Sequence, residues 1–193
     1  INAMVIDSQG LLWCASESSG LMLVDTRSEA LRSVRYAAGR PEALAADGLR
    51  TLYRDAQGVI WVGLNGRGIS YASPVSKNFH LLRETGMGVY SLTFQSVRSM
   101  YVEADKTLWV GGYGGLNRVG PDDRVTNFPQ FQQRGGDNPL NMNIYVIQPD
   151  PARSNSLLLG TEGDGVYRFD ARSGRVSRLR HAQTRTPGAV WGA

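Results

Sequence analysis

The chain contains few of the residues that build common covalent or metal sites. Among its 193 residues there are one cysteine, Cys14, and two histidines, His80 and His181. A lone cysteine cannot form a disulfide within the chain, and we interpret it as a small buried apolar residue rather than a reactive thiol. Neither histidine has a cysteine or an acidic residue at metal-ligand spacing. The sequence therefore predicts no metal site and no cofactor.

Sequence patterns that mark membrane segments and common enzymes are also missing. No apolar run approaches the roughly 20 residues that a membrane-spanning helix requires, so this segment is not expected to contact a membrane. There is no Gly-x-Ser-x-Gly elbow, no Walker phrase and no nucleophile beside an orienting base. We therefore do not expect this segment to be an enzyme.

The chain has only two lysines, Lys77 and Lys106. Its net charge of +4 therefore comes from arginine. A nucleic-acid-binding protein concentrates its positive charge and interleaves it with aromatic residues. Here the arginines occur in every part of the chain and are densest in residues 168–185. Solvated strand residues explain this pattern better than a phosphate-binding patch, so nucleic acid is not an expected partner.

What the sequence does contain is a repeat. Trp13, Trp61 and Trp109 follow one another at equal intervals, and each ends a short phrase that begins with an acidic residue. A fourth, less regular copy has Leu158 at the tryptophan position. A repeat of this length, made of several short apolar runs and turn signals, is typical of propeller blades.

The predicted fold is therefore all-β: a β-propeller segment of about four blades, each a four-stranded antiparallel sheet. The ring is expected to be incomplete, and its open apolar faces are expected to make copies of the segment associate. The predicted blades span approximately residues 1–46, 47–94, 95–140 and 141–182. Residues 183–193, with the apolar stretch 188–191, are predicted to begin a further blade.

The turn before each tryptophan can be read in detail. Asp7 and Asp55 are each expected to accept a hydrogen bond from the backbone two residues on, and Gly10 and Gly58 to supply a positive φ. Lys106 replaces this glycine in the third copy, so that turn is expected to differ and to use Asp105 in its bend.

The three repeat tryptophans are interpreted as structural residues wedged between blades rather than as ligand-stacking residues. All three are expected to be largely buried. That burial would explain why the same large aromatic residue recurs in three copies of the repeat.

A binding site is predicted on the propeller rim, where loops from several blades converge. Arg50 and Arg98 lie one full repeat apart at the start of the innermost strands, where both could face the central channel. The alternative is that they are solvated or paired with a carboxylate of a neighbouring blade. Glu162 and Asp164 are read as part of a turn rather than a calcium site. The remaining rim candidates are Glu17, Asn65, Arg67 and Tyr113.

The phrase Leu108-Trp-Val-Gly-Gly-Tyr-Gly-Gly-Leu-Asn-Arg118 resembles the two-component regulator propeller repeat, and the four copies extend this resemblance over nearly the whole chain. The resemblance implies a periplasmic sensor segment of a membrane-bound hybrid two-component or diguanylate cyclase receptor. The expected ligand is then an unidentified small molecule, glycan or peptide. Two alternatives remain open: a protein-interaction scaffold without a small ligand, and a propeller enzyme of the streptogramin lyase or glycan-active kind.

Overall fold

The computed structural model describes residues 1–40, 42–73, 79–82, 91–128, 131 and 143–179. These residues form four antiparallel sheets of four strands, and in each sheet the strands follow one another in chain order. The all-β, four-bladed prediction is therefore confirmed. His181 and the predicted further blade at residues 183–193 lie outside the described residues.

Each sheet is one blade, with its first strand innermost. Blade one contains β1 (Ala3–Ile6), β2 (Leu11–Ala15), β3 (Leu21–Asp25) and β4 (Leu31–Val34). Blade two contains β5 (Leu49–Arg54), β6 (Ile60–Leu64), β7 (Ile69–Ala72) and β8 (Phe79–Leu82). Blade three contains β9 (Val97–Val102), β10 (Leu108–Gly112), β11 (Gly115–Val119) and β12 (Val125–Asn127). Blade four contains β13 (Ile144–Pro149), β14 (Ser156–Thr161), β15 (Gly165–Asp170) and β16 (Val176–Arg178).

The blades pack in series to form an arc. The innermost strands contact one another in the order β1, β5, β9, β13, and one apolar cluster fills each of the three interfaces between neighbouring blades. The outer faces of the two terminal blades are uncovered: Met4 and Ile6 of blade one are 62% and 55% exposed, and Val146 of blade four is 49% exposed. Among the described residues, no helix is long and apolar enough to cross a membrane.

A small residue two positions after each tryptophan lets neighbouring blades approach closely near the axis. A Cβ atom on Gly63 would lie 3.0 Å from Cγ1 of Val97, and one on Gly111 would lie 2.6 Å from Cγ2 of Ile144. Val97 and Ile144 belong to the innermost strand of the following blade. Glycine occupies this position in the second and third copies because the next blade packs directly on its backbone, and the first copy has the small residue Ala15 there.

The turns before the tryptophans depend on an aspartate. Oδ1 of Asp55 accepts hydrogen bonds from the backbone N–H groups of Gln57 and Val59, both at 2.9 Å, and Asp7 makes the same pair of bonds in blade one. Oδ2 of each aspartate accepts the indole N–H of the tryptophan that follows, at 3.0 Å. One carboxylate thus fixes both the turn and the tryptophan side chain.

The third turn keeps the backbone shape with other residues, and the fourth, which is longer, keeps the positive φ at the equivalent position. The residue three positions before the tryptophan position has a positive φ in all four blades: Gly10 at 83°, Gly58 at 84°, Lys106 at 73° and Asn155 at 57°. In the third turn, the backbone N–H of Thr107 donates to Oδ1 of Asp105 at 2.9 Å, which is the bend expected from the sequence.

The three repeat tryptophans are buried to different degrees. Trp109 is 1% exposed, whereas Trp13 and Trp61 remain partly exposed. The ring of Phe169, from the third strand of blade four, packs edge-on against Trp109 with the centroids 5.8 Å apart. Strand pairing assigns Phe169 the same position as Ala72 in blade two, because their partners Leu157 and Ile60 both precede the tryptophan position. Trp13 therefore meets an alanine where Trp109 meets a phenylalanine.

Burial of Trp109 has an energetic cost, because it removes the indole N–H group from water. Its indole N–H is buried and has no hydrogen-bond partner in the described structure. Glu103 stands in the third repeat where Asp7 and Asp55 stand in the first two, and the carboxylate that shapes this turn has moved to Asp105. The aspartate that accepts the indole N–H in the first two blades therefore has no counterpart in the third.

Candidate functional site

Side chains from all four blades meet at one end of the arc, where each second strand turns into the third; we call this end the axial rim. In blades two to four, the backbone N–H of the fourth residue after the tryptophan position donates to the carbonyl just before the innermost strand. These bonds join Asn65 to Gly48 at 2.9 Å, Tyr113 to Ser96 at 3.1 Å and Glu162 to Asn143 at 3.0 Å.

Two rows of equivalent residues follow from this arrangement. The outer row, four residues after the tryptophan position, consists of Glu17, Asn65, Tyr113 and Glu162. The inner row, at the start of the innermost strands, consists of Asn2, Arg50, Arg98 and Tyr145. The sequence pattern predicted the whole outer row and both arginines of the inner row as rim residues. The structure shows which of them contact one another.

Between blades one and two, the rim contains a closed ion pair. The guanidinium of Arg50 donates to the Glu17 carboxylate, which also accepts a hydrogen bond from Nδ2 of Asn2 at 2.9 Å. Arg50 is therefore paired with a carboxylate of the neighbouring blade, the alternative that the sequence left open. This pairing compensates both charges before any ligand arrives.

Between blades three and four, a directed chain of hydrogen bonds runs along the rim. The phenol of Tyr145 donates to Oε1 of Glu162 at 2.9 Å, so its oxygen accepts the proton of Tyr113 at 2.7 Å. Tyr113 in turn accepts from Nη2 of Arg98 at 2.5 Å. Asn143 completes the chain by donating from Nδ2 to Oε2 of Glu162 at 2.7 Å. A cation and an anion on different blades are thereby linked through two phenols.

Aromatic contacts hold the same group together. The Arg98 guanidinium carbon lies 4.6 Å from the ring centroid of Tyr113 and 4.9 Å from that of Tyr145. The two rings meet edge to face with their centroids 6.0 Å apart. A guanidinium in this position interacts favourably with the negative faces of both rings. The Arg98 side chain is therefore held in one place rather than free to move over the rim.

The chain also fixes the protonation of its members. The hydrogen bond with Tyr113, together with burial and the bond to Glu162, raises the pKa of Tyr145 to about 12. The hydrogen bonds from Asn143 and Tyr145 lower the pKa of Glu162. At neutral pH, Tyr145 is therefore a neutral donor and Glu162 an ionised acceptor. This arrangement suits the binding of a polar ligand, and it gives no activated nucleophile.

Asn65 lies between these two networks and takes part in neither. It is exposed, and within the described part of the chain its side chain makes no hydrogen bond. Asn65 is equivalent to Tyr113, which contacts Arg98 on its own blade and Tyr145 on the next. The inner-row residues at the corresponding places for Asn65 are Arg50 and Arg98. A free amide between two arginines can donate to or accept from a ligand without breaking an existing contact.

Two predicted site residues lie apart from these networks. The guanidinium carbon of Arg67 lies 5.9 Å from the ring centroid of Tyr36, and both line a shallow groove beside Leu44 and Leu81. Asp164 lies in the turn between β14 and β15 and, among the described residues, makes no side-chain hydrogen bond or ion pair. The structure therefore does not bring Arg67 or Asp164 into contact with Arg98 and Glu162.

Asn2, Asn143 and Tyr145 are the rim residues that the sequence reasoning missed. Arg50 and Arg98 could be recognised as equivalent because they lie one full repeat apart. The distance from Arg98 to the equivalent residue of the fourth repeat is one residue shorter, and that residue is Tyr145. Aligning the innermost strands through the worn fourth repeat would have found Tyr145. Across the described residues, there is no group of three or more histidine, cysteine or acidic side chains that could hold a metal ion.

Of the comparisons with known proteins, the one with solved structures supports the fold. No family model matches the chain, and no curated protein does. Among solved structures, the extracellular domain assigned to the hybrid two-component system BT3049 of B. thetaiotaomicron matches 93% of this chain with a TM-score of 0.76 and 17% identity. At that identity the likeness shows a shared fold. This chain covers 24% of that domain's chain.

Two further solved structures are similar to this chain. PorZ, a surface component of the type-IX secretion system of Porphyromonas gingivalis, matches 92% of this chain with a TM-score of 0.66 and 16% identity, and this chain covers 27% of PorZ. Virginiamycin B lyase from Staphylococcus aureus matches 95% with a TM-score of 0.65 and 12% identity, and this chain covers 56% of the lyase. The chain thus spans about a quarter of the first two proteins and about half of the lyase.

Proposed function

We propose that this chain is the extracytoplasmic sensor segment of a transmembrane signalling receptor, and that it binds a ligand on the axial rim. The observation that carries the proposal is the hydrogen-bonded chain from Arg98 through Tyr113 and Tyr145 to Glu162. This chain joins two blades, so a ligand that contacts it contacts both blades at once. A fixed group of charged and aromatic side chains of this kind provides the orienting contacts of a polar-ligand site.

The chemistry of the rim favours a polar ligand with both donors and acceptors. Arg98 and the two phenols present an aromatic surface with charge at one side, and Glu162 accepts hydrogen bonds at the other. Asn65 adds an amide with no other partner among the described residues. A glycan, a peptide or another small polar molecule meets these requirements, whereas a purely apolar ligand would displace water from these polar groups without offering hydrogen bonds in return.

The signalling role is supported by two similarities, one of sequence repeat and one of fold. The tryptophan repeat resembles that of two-component regulator propellers, and the fold is similar to the extracellular domain of BT3049. By this reasoning the segment lies in the periplasm, and the output is a histidine kinase or a diguanylate cyclase elsewhere in the full-length receptor. Ligand binding at the rim would then change how the two blades sit against one another.

The test is a thermal-shift screen of this segment against glycan oligosaccharides, short peptides and nucleotides, followed by calorimetric titration of each hit. A ligand that binds the folded state raises the melting temperature by mass action. Arg98→Ala and Asn65→Ala should weaken a rim ligand by about tenfold or more, because each removes a direct polar contact. Arg153→Ala is the matched control, since Arg153 lies in the turn before β14 and away from the rim. Equal weakening by Arg153→Ala, or no weakening by Arg98→Ala, would place the ligand elsewhere.

The second candidate is an interaction scaffold that uses the rim to dock a protein. The similarity to PorZ favours it, because PorZ is a surface component of a secretion system. If no small ligand shifts the melting temperature, pull-down with rim variants as bait distinguishes this candidate. The propeller lyases share the fold, and an enzyme assay with streptogramin B and with generic ester, glycoside and phosphoester substrates tests that third alternative.

A further inference from the structure

A cleft of about 470 Å³ opens between blades one and two, on the side of the blades that carries Trp13; we call it the interblade cleft. Apolar side chains from both blades form the inner part of its lining, with Trp13 and Leu23 on one side and Ile60, Ala72 and Phe79 on the other. Its volume lies within the range of small-molecule sites, which runs from roughly 300 to 1,000 Å³. The rim residues described above do not line it.

The cleft exists because two aromatic side chains are missing from this interface. Between blades three and four, the rings of Phe169 and Phe128 cover Trp109, with centroids 5.8 and 5.6 Å from the indole. In the interface between blades one and two, Ala72 occupies the position of Phe169. Val34, at the end of the fourth strand of blade one, occupies the position of Phe128 in blade three. A cavity bounded by one indole face is therefore left where the other interface has two rings.

Two arginines at the opening of the cleft carry positive charges that have no partner among the described residues. Arg32 and Arg40 line the cleft and are exposed, and neither guanidinium makes a hydrogen bond or an ion pair in the described structure. Arg32 follows Trp13 and Leu23 in one cross-strand row, so all three project from the same face of blade one. The third arginine, Arg35, is already paired with Asp47 at 3.2 Å.

The carboxylate of Asp7 also lines the cleft, and three of its acceptor sites are occupied by hydrogen bonds from its own turn and from Trp13. Burial would raise the pKa of Asp7, but the hydrogen bonds from the indole of Trp13 and the backbone of Leu11 and Gln9 outweigh it and lower that pKa. Both carboxylate oxygens are therefore used inside the turn. Arg32 and Arg40 remain as the cations that an incoming group would meet.

We propose that the interblade cleft binds a small organic anion whose body is apolar and about the size of one or two aromatic rings. The body would pack on Trp13 and fill the space above Ala72, and a carboxylate or sulfonate would pair with Arg32 and Arg40. Both parts of the ligand are needed, because exposed arginines alone hold an anion weakly and an apolar body alone leaves the cations unpaired. This site is separate from the axial rim and does not depend on the function proposed for it.

The test is calorimetric titration of the folded segment with 2-naphthoate and with its neutral analogue 2-naphthamide. We expect saturable binding of one 2-naphthoate per chain and binding of 2-naphthamide that is about tenfold weaker or more, since the amide cannot form an ion pair. Absence of saturable 2-naphthoate binding at millimolar concentration would overturn the proposal. Equal affinity for the two compounds would overturn the assignment of an anion.

Variants then locate the site. Ala72→Phe introduces the ring found at the other interface and should abolish 2-naphthoate binding. Ala72→Leu fills less of the cleft and should weaken binding, and it serves as the test if the phenylalanine variant does not fold. The double change Arg32→Gln and Arg40→Gln should weaken 2-naphthoate by about tenfold or more while leaving 2-naphthamide unchanged. Arg153→Gln and Arg172→Gln, exposed in blade four, form the matched control pair. Wild-type affinity in both Ala72 variants would show that 2-naphthoate binds elsewhere and would refute the proposal.

Discussion

The interface between blades three and four is filled with aromatic rings, whereas the equivalent interface between blades one and two contains a cleft. Both are built from the same repeat, with the same strand order and the same position for the tryptophan. The difference comes from the residue that faces the tryptophan from the next blade, which is Phe169 in one case and Ala72 in the other. The interface between blades two and three is intermediate, with Val119 at this position and a cleft of about 180 Å³.

This series shows that the tryptophan alone does not determine how well an interface is packed. Its burial depends on a partner that lies more than one repeat further along the sequence and belongs to another blade. A substitution at the partner position can therefore change the packing of one blade interface without altering the repeat phrase or the other interfaces. The clearest tests of this comparison change the tryptophan and its partner at the tight interface and at the open one.

The largest expected effect is the loss of a tryptophan from the tight interface. Trp109→Ala removes a side chain that is 1% exposed, and it should lower the free energy of unfolding by about 3 to 5 kcal/mol, as other large aromatic truncations do. Trp13→Ala should cost less, because this side chain is partly exposed beside the cleft. Urea denaturation of both variants measures the difference, and an equal loss of stability would contradict the ranking.

A smaller change isolates the hydrogen bond of the indole. Trp61→Phe removes the donor that Oδ2 of Asp55 uses at 3.0 Å and leaves a buried carboxylate oxygen unpaired, which should cost about 1 to 3 kcal/mol. Trp109→Phe removes an indole N–H that has no partner in the described structure, so part of the packing loss should be offset. Chemical denaturation should therefore find Trp109→Phe the milder of the two. A greater loss for Trp109→Phe would show that the shape of the ring matters more than its hydrogen bond.

The comparison extends to the two terminal blade faces that no neighbouring blade covers within the described residues. Met4 and Ile6 on blade one are exposed, as are Val146 and Val166 on blade four, and apolar surface of this kind tends to associate. We expect the segment to form dimers or larger species in light scattering, and Met4→Lys with Ile6→Lys to shift it towards monomer. Ser28→Lys with Ser33→Lys is a control that adds the same charge elsewhere on blade one. A monodisperse monomer of the unmodified segment would contradict the expectation.

The smallest expected effect concerns protonation on the axial rim. The pKa of Glu162 lies below its ordinary value of 4.5, so this group contributes stability above that pH, and the contribution is lost as the pH falls through the folded-state pKa. Tyr145→Phe removes a donor and should raise the pKa of Glu162 towards 4.5 in an NMR titration. Tyr36→Phe, away from this network, should leave it unchanged. An unaltered Glu162 pKa in Tyr145→Phe would show that Tyr145 does not stabilise the carboxylate.

Much of the fold could be read from the sequence, because the repeat phrase specifies local structure. Asp55 and Gly58 define a turn by themselves, and Lys106 shows that the same backbone shape persists when the glycine is replaced. The degree of burial of Trp13 could not be read in this way. It depends on Ala72 in another blade, and the pairing of those two positions appears only when the blades are placed side by side.

The rim was only partly predictable for the same reason. The repeat placed Arg50 and Arg98 at equivalent positions, but it could not show that one meets a carboxylate and the other two phenols. Those partners, Glu17 and Tyr145, come from neighbouring blades whose repeats differ in residue type and, in the fourth, in spacing. Position in a repeat predicts where a side chain lies, while its partners depend on the residue that each copy carries there.

The glycines that follow the tryptophans have a consequence for the curvature of the whole arc. At Gly63 and Gly111 the next innermost strand rests on bare backbone, so blades are closest together near the axis and farther apart at the outer strands. The difference between the inner and the outer spacing determines the wedge angle of a blade. A side chain added at this position would widen the inner spacing and flatten the wedge, and flatter wedges need more blades to complete a circle. The volume of one residue per repeat therefore helps to determine the diameter of any ring to which these blades belong.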